Sequence, residues 1–360
     1  MLYWKKSKIK PILILIIFCI SRSGLLIVEN TKSLTQDSSY LLKVKASQIM
    51  KSSMEVIRDY RIKKGMKIDK RVDPNFTGLI GEELTKITTT LGSLSAKRTA
   101  TNPNFAALLV DMFLKAGLKR GDVIAIGVSG SFPPLILASL SAAKALDLRP
   151  ITIYSVGSSA WGANNPEITW LDMEDLLNKK GLLPYRTVAA SIGGGEDIGK
   201  SLSEKGKEII LSIIRRNKLP LIREDTLEKS IQRRLEIYNE YAEGDKIKLF
   251  VNIGGASANF GESSDALKIP NGLNKSLKIP HQSNQGIIYE MAKKGIPVIH
   301  LLYIRTLAVK NGLPIDPIPL PKVGEGRIYY KTKYSRTSII ITLGTIMGLL
   351  LIFRYKITWK

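Results

Sequence analysis

The sequence predicts an α/β protein built on an open, doubly wound, mainly parallel sheet. Five short apolar runs rich in β-branched residues recur at residues 123–126, 150–156, 188–192, 249–253 and 296–302. The first four are each followed by a Gly/Ser-rich turn, "GVSGS", "GSSAWGANN", "GGGEDIG" and "GGASANFG". Stretches of helical length separate the runs, and strands alternating with helices of this length form a parallel sheet covered on both faces. No fixed period relates the units, so they express a fold rhythm and not a tandem repeat.

At the N-terminus, Lys5, Lys6, Lys8 and Lys10 precede an uninterrupted apolar run from Ile12 to Ile20, and a second apolar patch from Leu25 to Val28 follows Arg22. Residues 9–28 have about the length a bilayer crossing needs if Arg22 snorkels to one interface. No A-x-A-like site follows, which favours an uncleaved anchor over a signal peptide. Near the other end, "SIIITLGTIMGLLLIF" lies between Lys331, Lys333 and Arg336 on one side and Arg354, Lys356 and Lys360 on the other, and reads as a second span with Tyr334 and Tyr355 at its interfaces. Two spans leave both termini on one side of the cell membrane. The leading lysines assign that side to the cytoplasm and the main domain to the outside.

Between the spans, Leu42, Ala46, Ile49, Met50, Ile57 and Tyr60 recur at helical spacing, as in a stalk or docking helix beside the membrane. Gly, Asp and Pro break this pattern over residues 65–74. The expected organisation is a transmembrane anchor over residues 1–28, a juxtamembrane stalk helix and linker over 29–74, an extracytoplasmic α/β domain over 75–333, and a transmembrane helix with a basic tail over 334–360.

Charge narrows the partners. The chain carries 54 Lys and Arg against 31 Asp and Glu, a formal +23, which attracts polyanions or anionic lipid surfaces. No aromatic-interleaved basic motif, zinc spacing or basic heptad is present, so no nucleic acid is expected. The one cysteine, Cys19, allows no intrachain disulfide and no cysteine metal site.

Glu82, Glu83, Asp172, Glu174, Glu196 and Asp197 are possible cation ligands, yet without HExxH, CxxC or a defining spacing, and no metal is expected. "WLDMED" reads better as the start of a helix after Trp170. Glu196 and Asp197 follow three glycines, as a cation site, a general base or a solvated turn. Neither G-x-G-x-x-G nor a P-loop lysine follows any glycine cluster, so no nucleotide cofactor is expected.

In a doubly wound sheet the loops leaving the carboxyl ends of the strands gather at one crevice. Glycines there let a ligand approach the backbone, and N–H groups at helix starts favour anions. "LTKITTTLGSLSAKRTATNPNFAALLVDMF" adds a dense set of hydroxyls with two cations. The expected anion- or polymer-binding residues are Lys97, Arg98, Ser129, Gly130, Ser131, Gly194, Gly195, Gly254 and Gly255.

As a catalytic alternative, "GVSGS" approaches the nucleophile elbow G-x-S-x-G, with Ser131 where the last glycine belongs. Ser129 is then the candidate nucleophile. Of the two histidines, His281 in the polar loop "IPHQSNQG" is its candidate base, while His300 in "IPVIHLLYI" reads as a core residue.

Five segments, "ITTTLGSLSAKRTATNPNFAALLV", "GVSGSFPPL", "SSAWGANNPEITWLDME", "ASIGGGEDIG" and "VNIGGASANFG", together resemble the poly-gamma-glutamate system protein family, a membrane-associated component found with the machinery that makes and exports poly-γ-glutamate. The resemblance covers residues 79–321 and supplies no catalytic residues. It implies a membrane-anchored accessory protein that binds poly-γ-glutamate or another acidic polymer and meets membrane lipid and the membrane components of the synthase, without turnover of its own. The alternative is an outer-face serine hydrolase or transferase acting on the polymer through Ser129.

Overall fold

The computed structural model describes residues 11–262, 266–279 and 285–357. Along the chain the elements are α1 (Pro11–Asn30), β1 (Ser33–Gln36), α2 (Tyr40–Lys63), β2 (Thr88–Thr90), α3 (Leu94–Ala100), α4 (Asn104–Lys115), β3 (Val123–Ser129) and α5 (Pro133–Ala145). There follow β4 (Arg149–Ser155), β5 (Ser158–Ser159), α6 (Trp170–Lys179), β6 (Thr187–Ser191), α7 (Glu204–Arg216), β7 (Leu221–Ile222), α8 (Leu227–Ala242) and β8 (Ile247–Ile253). The last are α9 (Ser257–Phe260), β9 (Gly272–Asn274), α10 (Ile287–Lys293), β10 (Val298–Leu301), α11 (Ile304–Lys310), β11 (Tyr330–Lys333) and α12 (Arg336–Ile357). They form two units, Ser39–Tyr329 and the pair of segments Met1–Ser38 and Tyr330–Lys360.

The larger unit holds a seven-stranded sheet in the order β7-β6-β4-β3-β8-β10-β9. All neighbours are parallel except β9, which runs antiparallel to β10 at the edge. The chain lays β3, β4, β6 and β7 outward in one direction, then returns to place β8 on the other side of β3. Strand order therefore reverses between β3 and β8. This is the α/β architecture the alternating pattern predicts, with all five expected runs in the sheet.

Period-two alternation along β3 sends Ile124, Ile126 and Val128 into the core shared with α2, α4 and α5, and Val123 and Ala125 into the core shared with α8 and α10. Apolar side chains on both faces are what a helix-covered parallel strand requires, and each buried Val or Ile contributes roughly 1.5–3 kcal/mol.

The helix expected as a stalk belongs to this unit. Ala46, Met50, Met54 and Ile57 of α2 are buried in the core that α4 and α5 also fill. Arg61, near its end, donates from Nη1 to the carbonyls of Gly78 (2.8 Å) and Ile80 (3.0 Å), which fastens the connecting segment. A regular apolar stripe is equally good at covering a sheet-bound helix layer and at lining a stalk, and the sequence pattern does not separate the two. At α6, Thr169 and Asp172 form a capping box, with the Thr169 N–H donating to Asp172 Oδ2 at 2.7 Å, so "WLDMED" starts a helix.

The smaller unit corrects the expected topology. Among the described residues no helix is long and apolar enough to cross a membrane, so the two flanking transmembrane helices, and with them the two-span location with both termini cytoplasmic, are withdrawn. Arg22, between Ser21 and Ser23, divides the apolar run of α1, and α12 carries the hydroxyls of Ser338, Thr342 and Thr345, of which the last two donate to carbonyls one turn back. The two helices pack on each other where Gly24 meets Thr342, and a Cβ at Gly24 would lie 2.1 Å from Thr342 Cγ2. Strands β1 and β11 pair antiparallel beside them.

At the carboxyl ends of β4 and β6, Asp197 and Arg234 form an ion pair at 2.8 Å with side-chain exposures of 2% and 0%. The Ser155 and Ser191 hydroxyls accept from Arg234 Nη2 at 3.0 and 2.7 Å, and Ser230 Oγ donates to Asp197 Oδ2 at 2.6 Å. Removing one partner leaves the other charge buried and alone, which costs about 3–5 kcal/mol. Arg234→Met is therefore expected to lower the urea unfolding free energy by about that amount. Arg234→Met combined with Asp197→Leu is expected to be more stable than Arg234→Met alone; a double variant less stable than the single contradicts the role assigned to the pair.

Candidate functional site

A cavity of about 1050 Å³ opens at the carboxyl ends of the central strands. Ser129 comes from the end of β3, Ser155 from β4, Gly194 and Gly195 from the loop after β6, Gly255, Ala256 and Ser257 from the loop after β8, and Tyr303 to Thr306 from the start of α11. The stretch from β2 into α3 brings Thr89, Gly92, Ser93 and Lys97 to the same space. The carboxyl ends of five strands, β3, β4, β6, β8 and β10, thus meet around the place where strand order reverses, which is where doubly wound folds leave a crevice. The approach is close: at Gly254 (φ +82°) a Cβ would lie 2.2 Å from Ser129 Oγ.

The turn after β3 is not the amide cradle the sequence suggests. Pro133 and Pro134 open α5 and have no N–H, and the N–H groups of Leu135 and Ile136 both reach the Phe132 carbonyl, at 3.0 and 3.2 Å. Gly130 is also committed: its N–H donates to Ser155 O (3.0 Å), and its carbonyl accepts from Ala163 N (2.7 Å) and Ser158 Oγ (2.9 Å). What the turn offers is hydroxyls. Ser131 Oγ accepts the Ser159 N–H at 3.1 Å and Ser129 Oγ accepts the Ser131 N–H at 3.4 Å. Among the described residues neither hydroxyl has an acceptor for its own proton, so both can donate into the cavity.

The two cations expected together part company. Lys97 is 1% exposed, and its Nζ donates to the Ser131 carbonyl and, at 2.7 Å, to Ser159 Oγ, and stands 3.8 Å from the centre of the Phe132 ring. Among the described residues it has no carboxylate partner. Burial away from water pushes its pKa down to about 7. Arg98, the next residue, is held by both oxygens of Asp316 through Nε, at 2.8 and 3.0 Å, and does not line the cavity. The cations missed by sequence reasoning are Arg305 and Lys310 of α11, which line the cavity, are exposed and form no ion pair among the described residues. Their signal was available only as the helix following the fifth apolar run.

Ser129 has no basic side chain within hydrogen-bond reach among the described residues, and His281 lies outside them. A serine hydroxyl of the cavity that does meet an amine is that of Ser159, beside Lys97 Nζ. His300 is buried, and Asn252 Nδ2 donates to Gly254 O (2.8 Å) and to His300 Nδ1 (2.9 Å). That amide nitrogen is only a donor, so the neutral ring carries its proton on Nε2. Burial lowers the His300 pKa to about 4, and Phe260 stacks on the ring with centroids 5.8 Å apart. His300 is a core residue.

The carboxylates are also placed. Asp197 is neither a cation ligand nor a solvated turn but the buried partner of Arg234. Glu196 pairs with Lys200, and the Glu174 carboxylate accepts from the Thr187 N–H (2.7 Å) and hydroxyl (3.0 Å). Burial raises the Glu174 pKa to about 7. Among the described residues no three His, Cys, Asp or Glu side chains gather as a metal site.

A depressed lysine pKa has a definite effect on stability. Below pH 7 both folded and unfolded chains hold the Lys97 proton, and the folded state bears the full desolvation of the ammonium. Between about 7 and the unfolded value of 10.5 only the unfolded chain holds it, so the folded state gains stability as pH rises through this window. Urea titrations from pH 6 to 9 are expected to show this rise in the wild type and a flatter profile in Lys97→Met; superimposable profiles contradict the assignment.

No family model, curated protein or solved structure matches the chain.

Proposed function

We propose that the cavity binds an anionic ligand bearing repeated carboxylates, an acidic polymer of the poly-γ-glutamate kind, and that the protein is an accessory binding component of the system that makes or exports it. One observation carries the reading: the basic residues Lys97, Arg305 and Lys310 line the cavity, Arg305 and Lys310 exposed and charged, and among the described residues no Asp or Glu joins them. Uncompensated positive charge at the mouth of a low-dielectric cleft concentrates anions. Inside, the Ser129 and Ser131 hydroxyls supply donors without a competing acidic group. The carboxylate preference comes from the cavity; the identity of the polymer comes from the five motif segments.

Arg305 and Lys310 are the groups that meet the carboxylates, because Lys97 Nζ is already engaged by Ser131, Ser159 and Phe132. Titration of a fluorescent γ-linked glutamate oligomer with the full chain, followed by anisotropy, tests this. Affinity is expected to fall as salt is raised. With each exposed charged contact contributing up to about 1 kcal/mol, Arg305→Ala with Lys310→Ala is expected to weaken binding roughly 3- to 30-fold. Wild-type affinity in this double variant, or equal binding of an oligomer whose free carboxyls are amidated, counts against the proposal.

A further inference from the structure

We propose that Ser159 and Lys97 form a nucleophile and base pair that attacks an amide or ester carbonyl of a ligand held in the cavity. The inference rests on the cavity being a ligand site and adds chemistry to it. Both side chains line the cavity, with Ser159 Oγ 2.7 Å from Lys97 Nζ. A neutral amine has two N–H groups and one lone pair. With one N–H directed to the Ser131 carbonyl, the lone pair is free to accept the Ser159 O–H, so the hydroxyl becomes the donor in this contact.

The surroundings favour the neutral form of the amine. Lys97 is enclosed against the Phe132 ring with no counter-ion among the described residues, and burial brings its pKa to about 7. The other charged groups lining the cavity, Arg305 and Lys310, are cations and act in the same direction, while the neighbouring Arg98 is neutralised by Asp316.

Ser159 is fixed by its backbone. It belongs to β5, which pairs with Thr90 of β2, and its N–H donates to Ser131 Oγ. Gly92 lies beside its hydroxyl: a Cβ there would be 3.2 Å from Ser159 Oγ and 2.5 Å from the Ala160 carbonyl oxygen. A side chain at this position collides with backbone and narrows access to the hydroxyl.

The reaction balances with water alone. Ser159 Oγ bonds to the carbonyl carbon as its proton passes to Lys97 Nζ. The tetrahedral species collapses, the bond to the leaving amine or alcohol breaks, and Nζ returns the proton to that group. A water molecule, giving a proton to Nζ, then attacks the acyl ester on Ser159, and the departing Ser159 oxygen recovers a proton as the carboxylic acid leaves. The Ser131 hydroxyl is an uncommitted donor next to the site of attack.

The test is covalent labelling of the full chain by an alkyl fluorophosphonate and by the smaller phenylmethanesulfonyl fluoride, with the adduct located by peptide mass spectrometry. One adduct is expected, on Ser159, absent in Ser159→Ala, with labelling at least about 100-fold slower in Lys97→Met of wild-type circular dichroism. Should Lys97→Met not fold, the wild-type labelling rate is read against pH; it is expected to rise about tenfold per unit below pH 7 and level above it, as for one ionising base. An unlabelled wild type, an adduct on Ser129 or elsewhere, a folded Lys97→Met labelled at the wild-type rate, or a rate flat below pH 7 overturns the pair. Oligomer binding is measured on the same preparation. Binding without labelling removes the pair and leaves the ligand site; labelling without binding supports the pair and removes the acidic-polymer reading.

Discussion

The return of the chain to the far side of β3 is the constraint on which the rest depends. Because β4 and β8 flank β3 on opposite sides, the connection after β3 leaves over one face and that after β8 over the other, and a gap opens between Ser129 and Gly254. At its base the two approach closely, and a side chain on Gly254 would collide with Ser129 Oγ. The small parallel pair of β2 with β5 then closes one wall and brings Lys97 and Ser159 to the same opening. Neither residue lies on the central sheet, yet both depend on its topology for their meeting.

Along the carboxyl edge the face turned toward α8, α9 and α10 changes from apolar to polar within one or two residues. Ile151 and Ile153 precede Ser155 on β4, Ala189 precedes Ser191 on β6, and Phe250 precedes Asn252 on β8. Groups buried this way need partners, and they find them in the loops and in neighbouring elements: Ser155 and Ser191 in the Asp197–Arg234 pair, Asn252 in Gly254 and His300. These contacts fasten each loop to its strand. The cavity is thus bordered by loops anchored through buried polar contacts, the support that a ligand-positioning site requires.

The central strands were legible because each is an apolar run with a turn signal behind it. The strands that escaped notice, β1, β2, β5, β7, β9 and β11, have two to four residues each, too few for periodicity to register. Gathering of the glycine loops followed from the topology. The partners of individual residues did not, since adjacent residues of one helix, Lys97 and Arg98, point to different surroundings. One signal was there to be used: Leu227, Ile231, Arg234 and Tyr238 lie on one stripe of α8, so an arginine stands where the helical period asks for an apolar residue. Such a residue faces inward and needs a buried acid. The apolar runs at both ends carried the length of a span in the sequence, but the helices they form do not meet the length and apolarity a crossing needs among the described residues.

A buried lysine without a carboxylate is an expensive arrangement if it serves only packing, because a methionine fills similar space without the desolvation. The hydrogen bonds of Lys97 explain its geometry, not its presence: the Ser131 carbonyl and the Ser159 hydroxyl are the sort of partners water supplies. Arg61 and Arg234 make the contrast within the same molecule. Arg61 ties the Gly78 and Ile80 carbonyls to α2, and Arg234 is matched by Asp197. Lys97 ties α3 to Ser131 and Ser159, two residues that the Ser159 N–H already joins to each other. Its distinguishing property is an amine that changes charge near neutral pH beside a hydroxyl open to a cavity, and a hydroxyl made more nucleophilic is what such an amine produces.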